Sequence, residues 1–264
     1  MKTVIRAVTA MVLILGLAGC AAIKDVVVVE KAPTIAHVHI GHAITGWKDS
    51  PDQIGLFQVA EQDADIALTH AGYAVEAQNN LNLIRLHMTH VMHAIDPESQ
   101  KQGPGTGFGL KRGLTEAVGH MTYAAESDDA SQNVIDFAEP FAKNAKDVLA
   151  RSDLILALCQ EVLQEISLKE ANALAEEILI LAGANVEGVD KDGDGEIRGR
   201  PDEYGLKQLR KQISEMVARE DPPYEPVSKR YLFGLIRLPS GKWDFSWHVN
   251  TIDQDQWSGG GGGY

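Results

Sequence analysis

Apolar positions recur at helical spacing through most of this chain. Val59, Ile66, His70, Tyr73 and Ala77 share one face of a helix predicted from about Leu56 to Ala77. Asn79-Asn80 breaks it, and a second helix is predicted from Leu81 to Ile95, stopped by Asp96-Pro97. The loop Gly103-Pro104-Gly105-Thr106-Gly107 leads to a third, Leu110 to Ala125. The longest run extends from about Pro140 to Ile166, with Val148, Ser152, Ile155, Cys159, Val162 and Ile166 on its apolar stripe. Pro140 is expected to start or kink that helix. Two more helices, about Leu168 to Ala182 and Tyr204 to Ala218, flank an acidic loop. Helices joined by short links before residue 167 point to a bundle. After Pro222-Pro223 and Pro226 the period changes to two. Tyr231–Leu238 and Trp243–Val249, around Pro239-Ser240-Gly241-Lys242, predict a β-hairpin, and the glycine run before Tyr264 predicts a disordered tail.

Charge and cysteine content narrow the function. With 24 basic against 37 acidic residues the chain carries a formal charge of −13, which argues against a nucleic-acid partner, because phosphate binding needs a basic face. Two cysteines exclude a disulfide scaffold and a Cys-rich zinc module. Neither is followed by the second Cys and the His that covalent haem attachment requires. Cys159 lies in an apolar run and reads as an inert core thiol.

Lys2 and Arg6 precede an apolar run from Ala7 to Leu17 that is too short to span a bilayer as a mature helix, and Leu17-Ala18-Gly19-Cys20 follows. This segment resembles a bacterial lipoprotein signal peptide with its lipobox. The resemblance implies that residues 1–19 are removed and Cys20 is lipidated, and that residues 20–34 form a tether, within which Val26 to Val29 admit a short strand. Ala21 after the lipidated cysteine implies sorting to the outer membrane. The expected location is therefore the cell envelope, anchored to the membrane by lipid and facing the periplasm or the cell surface. An envelope protein partner is allowed, and the oligomeric state stays open.

Eight of the nine histidines lie between positions 37 and 120. His37, His39 and His42 form an HxHxxH run that reads either as a ligand cluster or as a polar turn; imidazole suits zinc, copper and iron. On the second helix, Ile84, Met88, Val91 and Ile95 define the apolar face. At about 100° per residue, His87 falls at the edge of that face, His90 further round and His93 almost opposite. His70 sits in the expected apolar face of the first helix, and His120 in the small-residue stripe of Gly113, Ala117 and Ala124. Buried rings need partners for both nitrogens or a metal. Inward-leaning His70, His87 and His120 thus suggest a transition-metal site (Cu, Zn or Fe) in the bundle core, with His37, His39, His42 and His90 as further candidate ligands. A second cofactor reading is non-covalent haem b between facing helices, with Met88, Met92 and Met121 nearby.

Asp190-Lys191-Asp192-Gly193-Asp194-Gly195-Glu196-Ile197 resembles the start of an EF-hand calcium loop, with acids at positions 1, 3 and 5, Gly at 6 and an aliphatic at 8. Position 12 is Pro201 rather than Glu, so Asp202 or Glu203 would complete the ligand set of Asp190, Asp192, Asp194 and Glu196 only in a longer loop. The absence of Gly-x-Ser-x-Gly, HExxH and Cys/His nucleophile patterns lowers the expectation of hydrolase chemistry.

The fold expected is mainly α: a histidine-bearing bundle over 35–167, an EF-hand-like helix pair over 168–220, and a hairpin over 221–250 before a tail to 264. The function expected is a lipid-anchored envelope protein that holds or relays a metal or haem. The alternative is a structural or interaction lipoprotein whose calcium loop and hairpin serve assembly.

Overall fold

The computed structural model describes residues 28–30, 34–197, 200–224, 228–230, 235–237 and 243–245. The described chain is mainly helical. Its helices are α1 (Ile35–Ile44), α2 (Leu56–Glu76), α3 (Leu81–Ile95), α4 (Leu110–Glu126), α5 (Gln132–Gln164), α6 (Leu168–Glu187) and α7 (Leu206–Ala218). Four three-residue strands, β1 (Val28–Glu30), β2 (Ser228–Arg230), β3 (Leu235–Arg237) and β4 (Trp243–Phe245), pair antiparallel in that order. The expected hairpin runs, the lipobox segment and the glycine tail lie largely or wholly outside the described residues. No helix among the described residues is long and apolar enough to cross a membrane.

Local chemistry explains where the helices begin. Side-chain oxygens cap the first turns: Thr34 Oγ1 accepts from His37 N (3.0 Å), Asn80 Oδ1 from Asn82 N and Leu83 N (3.1 and 3.2 Å), and Ser131 Oγ from Val134 N (3.1 Å). The Ser131 cap corrects the expected start of the long helix. Pro140 does not start the helix but sits inside it, eight residues after Gln132.

α5 is 33 residues long, about 50 Å, and two hydrophobic cores form along it. The first gathers α1, the start of α2, α4, the first half of α5 and α7 around Phe57, Phe141, Leu114 and Ile213. The second gathers the rest of α2, α3, the second half of α5 and α6 around Met88, Ile155, Cys159 and Ile178. α2 packs against α3, α4 and α6, so it buries a small-residue face (Ala60, Ala64, Ala67, Ala71, Ala74) that lets three neighbours approach. This differs from the expected face. Tyr73 is 45 % exposed and His70 half-buried, because the alanines, scored weakly as hydrophobes, are the true contact surface. Ile166 is likewise exposed, beyond the end of α5. Cys159 is fully buried, its sulfur 3.6 Å from Met88 Sδ, and burial pushes its thiol up to about 12.

Candidate metal centres

The histidines gather into two triads rather than one core site. At the α1–α4 contact, His39, His42 and His120 bring ring nitrogens within 4.8 Å of one another, and His39 Nδ1 lies 3.2 Å from His120 Nδ1. At the α2–α3 contact, His70, His87 and His90 do the same; His70 Nδ1 lies 3.1 Å from His87 Nδ1 and 3.4 Å from His90 Nδ1. All six rings are half-buried. The expectation that His70, His87 and His120 serve one site is therefore corrected. His70 and His120 lie on helices that meet near their first turns, where a Cβ on Gly113 would come within 2.9 Å of Leu56 O. Both histidines sit in the later turns of those helices, so each turns to a different neighbour.

The nitrogen geometry has a chemical consequence. A neutral imidazole has one N–H and one in-plane lone pair. His70 Nδ1 faces two other Nδ1 atoms, and a single nitrogen cannot form a full hydrogen bond to both. His42 Nδ1 is shut off from solvent with no hydrogen-bond partner. An ion at the centre would satisfy every one of these lone pairs. Two ligands at 2.0–2.1 Å from a tetrahedral zinc stand about 3.3 Å apart, which matches the observed separations.

Electrostatics keep the rings in the ligand form. Burial, then the neighbouring imidazoles and Lys48, pushes His42 down to about 4. Burial, then His90 and His87, pushes His70 down to about 4. His39, His87, His90 and His120 are also lowered, with burial the leading cause in each. Neutral imidazole is the form that binds a metal.

The remaining candidates fall elsewhere. His37 is buried and bonded through Nε2 to Glu220 Oε2 at 2.9 Å, and Glu220 also accepts from Ser131 Oγ (2.7 Å) and Asn133 Nδ2 (2.5 Å). It ties α1 to the end of α7 and joins neither triad. His93, expected to face away from the core, is 7 % exposed. Its Nδ1 contacts Gln100 O at 2.7 Å, and Gly103 packs against its ring. The helical wheel gives direction relative to α3 alone, whereas the loop after α3 folds back and covers that side.

In the acidic loop, Asp190, Asp192 and Asp194 converge within 4.8 Å. Asp190 accepts from Gly193 N and Gly195 N (2.7 and 2.8 Å), which holds its carboxyl below the usual range, the Gly195 bond foremost. Glu196 is exposed, Asp202 pairs with Lys191 at 3.0 Å, and Glu203 is buried beneath the loop, where its Oε1 lies 3.4 Å from Lys191 N. The three-aspartate cluster does not include them.

Asp63 was not singled out by the sequence pattern. It is fully buried on α2 and accepts from Thr106 N (2.7 Å), Thr106 Oγ1 (2.6 Å) and Gly109 N (2.8 Å). It thereby fastens the glycine-rich loop that covers His93. An acid on the alanine face of a helix was the available signal.

Comparison with protein-family models, curated proteins and solved structures finds no match.

Proposed function

We propose that this chain is an envelope protein, lipid-anchored at Cys20, that binds transition-metal ions at two histidine triads, His39/His42/His120 and His70/His87/His90. The observation that carries the reading is the convergence of Nδ1 atoms at 3.1–3.4 Å, where His70 Nδ1 faces two others and can bond fully to only one, and His42 Nδ1 is buried without a partner. Contact distances also favour a bare ion over haem. Two axial imidazoles need a porphyrin and about 4 Å between their nitrogens, whereas these rings touch directly. The role is binding or relay, and no reaction is assigned. In the same proposal the EF-hand-like loop holds calcium between α6 and α7, and the C-terminal segment forms the expected hairpin.

Elemental analysis and absorption spectroscopy of protein purified from its native envelope test the reading. Two copper, zinc or iron ions per chain are expected. A Soret band would replace the ion reading with haem, and calcium alone would leave the structural alternative standing. Cys20→Ser should release the protein from the membrane fraction; unchanged fractionation and mature mass would refute the anchor.

A further inference from the structure

The two triads sit in an internal repeat. α1 ends in His42-Ala43-Ile44 and α3 in His93-Ala94-Ile95. Each following helix begins Gly-Leu, at Gly55-Leu56 and Gly109-Leu110. Each of those glycines lies against the carbonyl closing the previous helix: a Cβ on Gly55 would come within 2.7 Å of Ile44 O, and one on Gly109 within 2.9 Å of Ile95 O. Each second helix then carries His-x-x-Tyr-Ala, at His70–Ala74 and His120–Ala124. α1 packs on α4 and α3 packs on α2, so each repeat shares one triad with the other, although the ligands are out of register: His42 aligns with His93, which joins neither triad, and His70 stands 14 residues after Leu56 whereas His120 stands 10 after Leu110. Each triad joins the first helix of one repeat to the second helix of the other, and each has a tyrosine against its rings: Tyr123 beside His39 and His120, Tyr73 beside His70 and His87.

The surroundings of the two triads differ. Three residues after Ile44 stands Trp47, whose indole packs on two of the three ligands, with centroids 4.5 Å from His42 and 4.9 Å from His120. The loop holds it there through Trp47 N to Ile54 O (3.1 Å) and Ser50 Oγ to Trp47 O (2.9 Å). Three residues after Ile95 stands Glu98, exposed and paired with Lys101 at 2.6 Å. No tryptophan packs on the α2–α3 triad among the described residues. The nearby charges differ as well: Lys48 and Glu116 act on His42 and His120, whereas Glu76 acts on His87.

We propose that the Trp47-capped triad of His39, His42 and His120 selects a monovalent ion, Cu⁺, while the open triad of His70, His87 and His90 takes a divalent ion. The inference rests on the metal-binding reading above. Zinc with three protein ligands keeps a fourth position for water, and the indole packed on the His42 and His120 rings leaves less room for that water. A d¹⁰ Cu⁺ is satisfied by three nitrogens, gains attraction from an aromatic face and loses less hydration free energy on entry. At the capped site Lys48 disfavours a dication and Glu116 offsets it, whereas at the open site Glu76 favours one with no lysine against it among the groups acting on His70, His87 and His90.

Site-isolating variants of the full chain test this. H70A/H90A leaves the capped triad and H39A/H120A the open one; Cu⁺ is titrated anaerobically against a copper(I)-specific chelator and Zn²⁺ against a zinc chelator. The ratio of Cu⁺ to Zn²⁺ affinity should be at least 100-fold higher at the capped triad. Trp47→Leu on the H70A/H90A background should lower that ratio at least tenfold, and Trp47→Phe should recover part of it; far-ultraviolet circular dichroism checks that each variant is folded. Equal ratios at the two triads, or a ratio indifferent to Trp47 in folded variants, overturns the selectivity while leaving both sites. Failure of both isolating variants and the parent to bind either ion overturns the metal reading itself.

Discussion

His90 and His93 lie one turn apart on α3, and the structure gives them opposite roles. His90 belongs to a half-buried triad, whereas His93 is 7 % exposed and contacts Gln100 O at 2.7 Å. Removing His93 forfeits a hydrogen bond worth about 1 kcal/mol and opens a void under Gly103, for a total cost of about 2–3 kcal/mol. At roughly 2–4 °C per kcal/mol for a chain of this size, His93→Ala should lower the metal-free melting temperature by about 4–12 °C. It should leave two ions bound. His90→Ala deletes a half-buried ring and its contact with His70, which costs the metal-free protein about 1 kcal/mol. A site saturated at 100 times its dissociation constant stabilises the fold by about 2.7 kcal/mol, so two sites contribute about 5 kcal/mol and His90→Ala should halve that increment. Scanning calorimetry with and without zinc, together with ion stoichiometry after dialysis, reads both effects. An ion lost in His93→Ala and retained in His90→Ala would refute the assignment of ligands.

Three further predictions follow from the geometry. Asp63→Ala strands the buried amides of Thr106 and Gly109 and should cost about 3 kcal/mol or more in chemical denaturation; a loss below 1 kcal/mol would show that the loop does not depend on this carboxylate. Protons and metal compete for the same lone pairs, and His42 and His70 are held down to about 4 rather than raised. Ion retention on acidification should therefore extend well below the ordinary histidine value of about 6.5, and a midpoint at or above 6.5 would contradict the burial of these rings. Calcium should raise the melting temperature of the parent and not of the Asp190→Ala/Asp194→Ala double variant; a parent indifferent to millimolar calcium and to chelator would remove calcium from the proposal.

The sequence determined most of the helices, although α1 read only as a histidine-rich run and the long helix begins at Gln132, earlier than expected. Leu81–Ile95 and the start at Leu56 were legible because Asn80, Asp96-Pro97 and apolar spacing are local signals, acting within one turn of chain. The buried side of α3 and the core thiol Cys159 were legible for the same reason. The composition of the histidine sites was not. A wheel drawn on α3 places His87 and His90 beside each other but cannot show that α2 supplies His70, nor that the loop pinned by Asp63 covers His93. The repeated His-Ala-Ile, Gly-Leu and His-x-x-Tyr segments stood in the sequence, but their order gave no sign that each triad pairs the first helix of one repeat with the second helix of the other. The pairing arises because α2 and α4 cross near their first turns, at a residue without a side chain. Tertiary structure therefore decided which imidazoles meet, because ligand sets join residues 17 to 81 positions apart, across helices whose packing no local pattern encodes.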